Sequence, residues 1–114
     1  MKFYEINPPR EFEVGLEIKR KIKDCGKIKL SPDEQVAFVT ESGKEYDLTR
    51  KDFGFYATPS VNIRLGKEGF KTAIVKNSQD RYFIMIVEAD KMNEFQTYLD
   101  EEKQKVIEWL DERI

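Results

Sequence analysis

Histidine is absent from this 114-residue sequence, and cysteine occurs only once, as Cys25. Without an imidazole there is no Ser-His-Asp or Cys-His catalytic group and no histidine-based zinc site. A single cysteine excludes an internal disulfide and a site built from several thiolates. Glycines occur singly, and no Gly-rich loop of the kind that cradles phosphate is present. We therefore expect no catalytic residues of the triad or Cys-His type, no bound metal ion and no cofactor.

Long apolar runs are also missing. The run FIMIV at 83–87 is typical of those present, far shorter than the ~20 residues of a membrane-spanning helix. The first ten residues, MKFYEINPPR, lack the apolar stretch and small-residue cleavage site of a secretory signal. We expect a protein that does not contact a membrane and is located in the cytoplasm.

The composition is that of a folded chain. Charged residues make up 37% of the sequence, and eight Phe, five Tyr and one Trp can form a packed interior beneath them. The length fits a single domain covering residues 1–114. A net charge of −2 argues against nucleic acid as a partner, because such proteins carry strongly basic surfaces.

Apolar residues fall on even positions from Phe12 to Leu30, which is typical of strands with one buried face. One strand of that length would be unusual, so we place a turn at 24–26, where Gly26 can take a positive φ. The turn leaves Cys25 exposed at the hairpin tip. The resulting register predicts three cross-strand pairs: Lys23 with Lys27, Ile22 with Ile28, and Lys21 with Lys29.

The remaining pattern completes an α+β fold with about six strands in antiparallel hairpins. We predict hairpins from residues 35–40 with 45–49 and from residues 70–76 with 81–88, the latter at the sheet centre. A short helix near 60–68 begins at Ser60, carries Ile63 on its inner face and ends at Gly66 or Gly69. A long amphipathic helix near 90–112 follows, with an interruption of its apolar stripe around 102–104.

Lysines alternate with the apolar residues of the first predicted hairpin. In the predicted register like charges lie opposite each other, which is unfavourable unless an anion binds between them. The alternative is a solvated face whose lysines protect a strand edge from aggregation. Because the C-terminal segment is acidic, the lysines can also face it within the molecule or across a homodimer. The candidate ligand-binding residues here are Lys21, Lys23, Lys27 and Lys29.

A second candidate surface is the segment 50–64, where aromatic rings, cations and a predicted helix start occur together. Such rings can stack on a base or a sugar face while the cations hold a phosphate. The alternative is that Phe53 and Phe55 fill the core beneath the loop, with at least one ring buried in either case. The candidate ligand-binding residues here are Arg50, Lys51, Phe53, Phe55, Tyr56, Ser60 and Arg64.

The segments IKDCGKIKLSPDEQVAFVTESGKEYDLTRKDFGFYATPSVNIRL, FKTAIVKN and VIEWLDE cover most of the chain. In these segments the chain resembles a group of small uncharacterised bacterial proteins whose genes accompany surface-polysaccharide and sugar-modification genes. The resemblance implies an accessory role in a glycan pathway, and it implies no fold, activity or functional residues.

Our leading hypothesis is a non-catalytic binding or accessory module for a small anionic ligand or an acidic partner protein. Two alternatives remain. Aromatics interleaved with cations are also typical of single-stranded nucleic-acid binding. The 22 Asp and Glu residues also allow a carboxylate-based enzyme that acts on a sugar.

Overall fold

A computed structural model describes residues 1–113 as a set of strands and short helices. In chain order the elements are β1 (Lys2–Val14), β2 (Arg20–Lys29), β3 (Gln35–Val39), β4 (Glu45–Lys51), β5 (Gly54–Ala57), α1 (Arg64–Lys67), β6 (Phe70–Lys76), β7 (Tyr82–Glu88), α2 (Met92–Glu102) and β8 (Lys105–Trp109). The strands form three antiparallel sheets with the orders β1–β2, β3–β4–β5 and β7–β6–β8. The predicted α+β class with mainly antiparallel sheet is confirmed, with eight strands where about six were expected.

The core lies between α2 and the sheet β7–β6–β8. Leu99 of α2 packs on Ala73 and Val75 of β6, and a ring of half-buried side chains surrounds them: Met85, Phe95, Val106 and Trp109. The Phe95 and Trp109 rings meet edge to face, with their centroids 5.8 Å apart. None of the helices in residues 1–113 combines the length and the apolar character needed to cross a membrane.

Two predicted hairpins are confirmed. β3 pairs with β4, which places Val36 opposite Leu48, and β6 pairs with β7, which places Ile74 opposite Ile84. The expectation that both strands of the second hairpin lie at the sheet centre is wrong for β7. Only β6 is central, because β8 returns to its other side.

The short helix α1 forms within the predicted range. The Ser60 hydroxyl accepts a hydrogen bond from the Arg64 backbone N–H at 3.0 Å, and Gly69, with a φ of +92°, follows the helix end. The predicted inner residue is wrong, because Ile63 is exposed and Leu65 is fully buried instead. The helix begins at Arg64, so Ile63 precedes it with a non-helical backbone and is not part of a helical face.

The hairpin predicted within 12–30 is wrong. β2 pairs with the N-terminal strand β1, the connecting turn lies at 15–19, and residues 24–26 lie inside β2. Gly26 has a φ of +144°, and a Cβ there would lie 2.3 Å from the Tyr4 carbonyl oxygen. The glycine therefore permits a close approach of two strands rather than a turn. The observed pairs are Lys21 with Glu13, Ile22 with Phe12, Lys23 with Glu11, Lys27 with Tyr4, Ile28 with Phe3 and Lys29 with Lys2.

The prediction of a helix to residue 112 is wrong after Glu102. Lys103 has a φ of +52°, and the Gln104 N–H donates a hydrogen bond to the Leu99 carbonyl at 2.9 Å, which ends the helix. The chain then forms β8, whose Trp109 lies opposite Ala73 of β6. Val106 and Trp109 thereby pack against the core of Ala73, Val75 and Leu99.

Candidate functional site

A cleft with a volume of about 420 Å³ lies between the β1–β2 turn and the part of the molecule formed by β7 and α2. Its apolar walls come from Val14, Leu16, Phe83 and Met85, and its polar side chains are Arg20, Asn77, Arg81, Tyr98, Glu102 and Gln104. Small-molecule sites typically combine apolar walls with a few converging polar groups in a volume of roughly 300–1,000 Å³. The cleft therefore has the size and composition of such a site.

Arg20 joins the two sides of the cleft. Its Nε donates to Glu102 Oε1 and its Nη2 donates to Glu101 Oε2, each at 2.8 Å. The guanidinium also lies 4.9 Å from the centre of the Tyr98 ring. The hydrogen bond to Glu102, and then that to Glu101, raises the pKa of Arg20 above its ordinary value. A permanently charged Arg20 therefore anchors the start of β2 to the end of α2.

Glu102 is a buried carboxylate, with 4% of its surface exposed. A charge at this depth needs a partner, and Arg20 supplies it. Glu101 and Glu102 are both bound to the same guanidinium. Residues 1–113 also contain no cluster of three Cys, Asp or Glu side chains suited to holding a metal ion.

Arg81 lies at the end of the β6–β7 turn and contributes to the cleft wall. Its backbone N–H and that of Gln79 both donate to Asn77 Oδ1, at 3.0 and 2.9 Å, which stabilises the turn. Within residues 1–113 the Arg81 guanidinium makes no hydrogen bond or ion pair. It is therefore available to an anion, which a guanidinium can bind through two parallel hydrogen bonds.

Gln104 supplies a second unused group. Its Oε1 is buried and has no hydrogen-bond partner within residues 1–113. An unsatisfied buried acceptor is unfavourable, but this oxygen is closed to solvent, so a ligand reaches it only if the side chain moves. The left-handed residue Lys103 turns Gln104 back toward the end of α2 and so positions this side chain.

The lysines predicted as an anion site lie along β2 and are exposed. Their surroundings differ from the prediction, because Lys21 and Lys23 lie opposite Glu13 and Glu11 rather than opposite other lysines. Opposite charges facing each other across two strands are mutually stabilising, so this half of the face needs no anion. Only Lys29 lies opposite another lysine, Lys2.

The aromatic residues of the second predicted surface are exposed rather than buried. The exposed fractions are 81% for Phe53, 61% for Phe55 and 44% for Tyr56, so none of these rings fills the core. The Arg50 guanidinium lies 5.7 Å from the centre of the Phe55 ring. The two other cations are bound to carboxylates, because Lys51 pairs with Asp33 and Arg64 pairs with Asp47.

The structure does not join the two predicted surfaces. Within residues 1–113 no hydrogen bond, ion pair or common cavity links the lysines of β2 with the residues of the 50–64 segment. None of the cleft residues was predicted, because they come from segments far apart in the sequence. The one available signal was the break in the helical stripe at 102–104. Compared with protein-family models, curated proteins and solved structures, the chain matches none of them.

Proposed function

We propose that the protein is a non-catalytic binding module that holds a small anionic sugar derivative in the cleft beside Arg81. The observation that carries the proposal is the unpaired guanidinium of Arg81 in the wall of a cleft that has the size of a small-molecule site. The fold leaves this guanidinium unused, and a ligand with an anionic group at one end satisfies it while the rest of the ligand fills the cleft.

One unpaired cation in the cleft supports an anionic group on the ligand. Among its lining residues Arg20 and Arg81 are positive and Glu102 is negative. Arg20 is already bound to Glu101 and Glu102, and these three groups together carry one negative charge, so Arg81 is the lining cation that is free to bind an anion. A phosphate or carboxylate can accept two parallel hydrogen bonds from that guanidinium.

The walls of the cleft support a sugar as the rest of the ligand. The Tyr98 and Phe83 rings line the cleft and offer apolar surface to the C–H face of a pyranose. A phosphorylated sugar also fits the accessory role in a bacterial glycan pathway that the sequence resemblance implies. A cytoplasmic location, where such intermediates are made, belongs to the same proposal.

The test is a titration of the ¹⁵N-labelled protein with glucose 6-phosphate, followed by amide chemical shifts. We expect shifts at Gly15, Arg81 and Gln104. Arg81→Gln should raise Kd about tenfold, because a hydrogen bond to a charged group contributes about 1.5 kcal/mol or more. Arg64→Gln is the matched control. It removes one arginine from the aromatic surface and should leave Kd unchanged.

Three outcomes would count against the proposal. If no cleft amide shifts at 10 mM ligand, the cleft is not the site. If Arg64→Gln weakens binding and Arg81→Gln does not, the ligand binds at the aromatic surface instead. If inorganic phosphate alone reproduces the shifts and the affinity, the sugar part of the proposal is wrong.

A further inference from the structure

The isolated chain exposes more surface than a compact protein of its mass. Its accessible surface is 8375 Å², whereas a compact monomer of 13.5 kDa is expected to expose roughly 6,500 Å². The radius of gyration is 15.7 Å, against roughly 13 Å for a compact chain of this length. The excess exceeds the ~800 Å² that each partner buries in a stable protein–protein interface. The chain therefore has ample surface for a stable interface.

β7 is the most exposed apolar edge of the central sheet. It pairs only with β6, so its other side leaves every second backbone N–H and C=O without a strand partner. Its sequence YFIMIVE contains no Lys, Pro or Gly, and the exposed fractions are 62% for Tyr82, 41% for Phe83 and 59% for Ile84. Strand edges of monomeric proteins are normally protected by charge, proline, a bulge or shortness.

The opposite edge of the same sheet has the protection that β7 lacks. β8 is five residues long, includes Lys105, and pairs with β6 through an irregular register. In the neighbouring sheet, β5 has only four residues. β3 is uncharged but two residues shorter than β7. Among these edges β7 is therefore the one best suited to pairing with another strand.

We infer that β7 pairs antiparallel with β7 of a second copy of this chain, which joins two three-stranded sheets into one six-stranded sheet. The strand is chemically self-complementary. A register centred on Met85 places Ile84 opposite Ile86, Phe83 opposite Val87 and Tyr82 opposite Glu88, so no like charges meet. A two-fold interface requires this kind of self-complementarity.

The free edge of β2 does not have this property. Antiparallel pairing of two β2 strands centred on Cys25 would place Lys23 opposite Lys27 and Lys21 opposite Lys29. The repulsion between these lysines disfavours that pairing. Of the free edges compared, that of β7 suits a second copy best. Phe83 and Met85 of β7 also line the cleft, but the inference rests on the backbone edge of the strand and not on the ligand proposed there.

The test is the mass of the full chain in solution, measured by light scattering after gel filtration from 10 to 200 µM. We expect twice the 13.5 kDa chain mass. Ile84→Lys places two ammonium groups near the two-fold axis and should reduce the mass to that of one chain. Ile107→Lys is the matched control, since Ile107 is 49% exposed on the opposite edge, and it should leave the dimer intact.

A second measurement uses the unmodified protein and does not depend on the folding of a variant. Hydrogen exchange of the β7 amides should be slow at high concentration and should accelerate on dilution, while exchange of the β8 amides stays constant. A wild-type monomer at 200 µM would overturn the inference. A dimer that Ile107→Lys dissociates, or that neither variant dissociates, would overturn it as well, because the interface would then lie elsewhere.

Discussion

Thr72 provides a direct test of how the central sheet is packed. It lies in the middle of β6 with 2% of its surface exposed, and its Oγ1 has no hydrogen-bond partner within residues 1–113. Thr72→Val keeps the shape of the side chain and removes the unsatisfied hydroxyl. Because such a group costs about 1–3 kcal/mol, we expect the free energy of unfolding to rise by about that amount. The Tm should rise by about 4 °C for each kcal/mol.

The measurement is urea unfolding followed by circular dichroism at one fixed protein concentration. The urea midpoints of wild type and variant are compared, provided that the dependence of the free energy of unfolding on urea is the same in both. Thr49→Val is the matched control. Thr49 is also buried, but its hydroxyl contacts Thr58 Oγ1 at 2.6 Å and Gln35 Oε1 at 3.1 Å, so valine there should destabilise by about 1 kcal/mol. If Thr72→Val destabilises the protein, its hydroxyl is satisfied and the reasoning is refuted.

Two further predictions concern the charged groups that hold the elements together. Arg20→Gln should accelerate hydrogen exchange in the β1–β2 turn and at the end of α2, because Glu102 loses its cation. The control is Arg10→Gln, which removes an ion pair inside β1–β2 and should leave hydrogen exchange in α2 unchanged. Equal effects of the two variants would contradict the anchoring role of Arg20. The Ser42 hydroxyl donates a hydrogen bond to Glu88 at 2.7 Å and holds its pKa below the ordinary 4.5. The stabilisation from Glu88 is therefore complete above pH 4.5 and is lost as the pH falls through the lowered pKa. In unfolding curves measured from pH 7 to 3, Glu88→Gln should therefore lose less stability toward low pH than the wild type does. An unchanged pH dependence would show that Glu88 does not contribute.

The hairpins β3–β4 and β6–β7 were predictable because each is a local structure. In both, a short polar turn separates two apolar segments, so neighbouring strands pair without any contribution from distant residues. The pairing of β2 was not predictable in this way. Alternating residues mark a strand and its faces, but they do not say which other strand lies beside it. Pairing with β1 replaces two lysine–lysine contacts by Lys21–Glu13 and Lys23–Glu11.

The helix boundary shows a second limit of local patterns. In a continued helix Val106 lies on the apolar stripe and Trp109 beside it, so the same residues are compatible with a helix and with a strand. The choice depends on β6, whose free side accepts β8 and lets Trp109 lie opposite Ala73. The break in the stripe at 102–104 marked the place of the change but not the structure that follows it.

The candidate site illustrates the same distinction. The sequence predicted that the lysines of β2 are exposed and that at least one aromatic ring of 53–56 is buried. The first prediction is confirmed and the second is wrong, because all three rings are exposed. The cleft depends on Arg20, Arg81 and Gln104, which come together only when the β1–β2 turn is anchored on the end of α2. Nothing in the spacing of these three residues indicates that they meet.

What the sequence alone determined is the α+β class and the hairpins β3–β4 and β6–β7, because hydrophobic periodicity and nearest neighbours decide these. Tertiary structure alone decided the partner of β2, the end of α2, the exposure of the aromatic rings and the existence of the cleft. The physical reason is that each of these depends on the free energy of contacts between residues distant in the chain, and a local pattern is compatible with more than one set of such contacts.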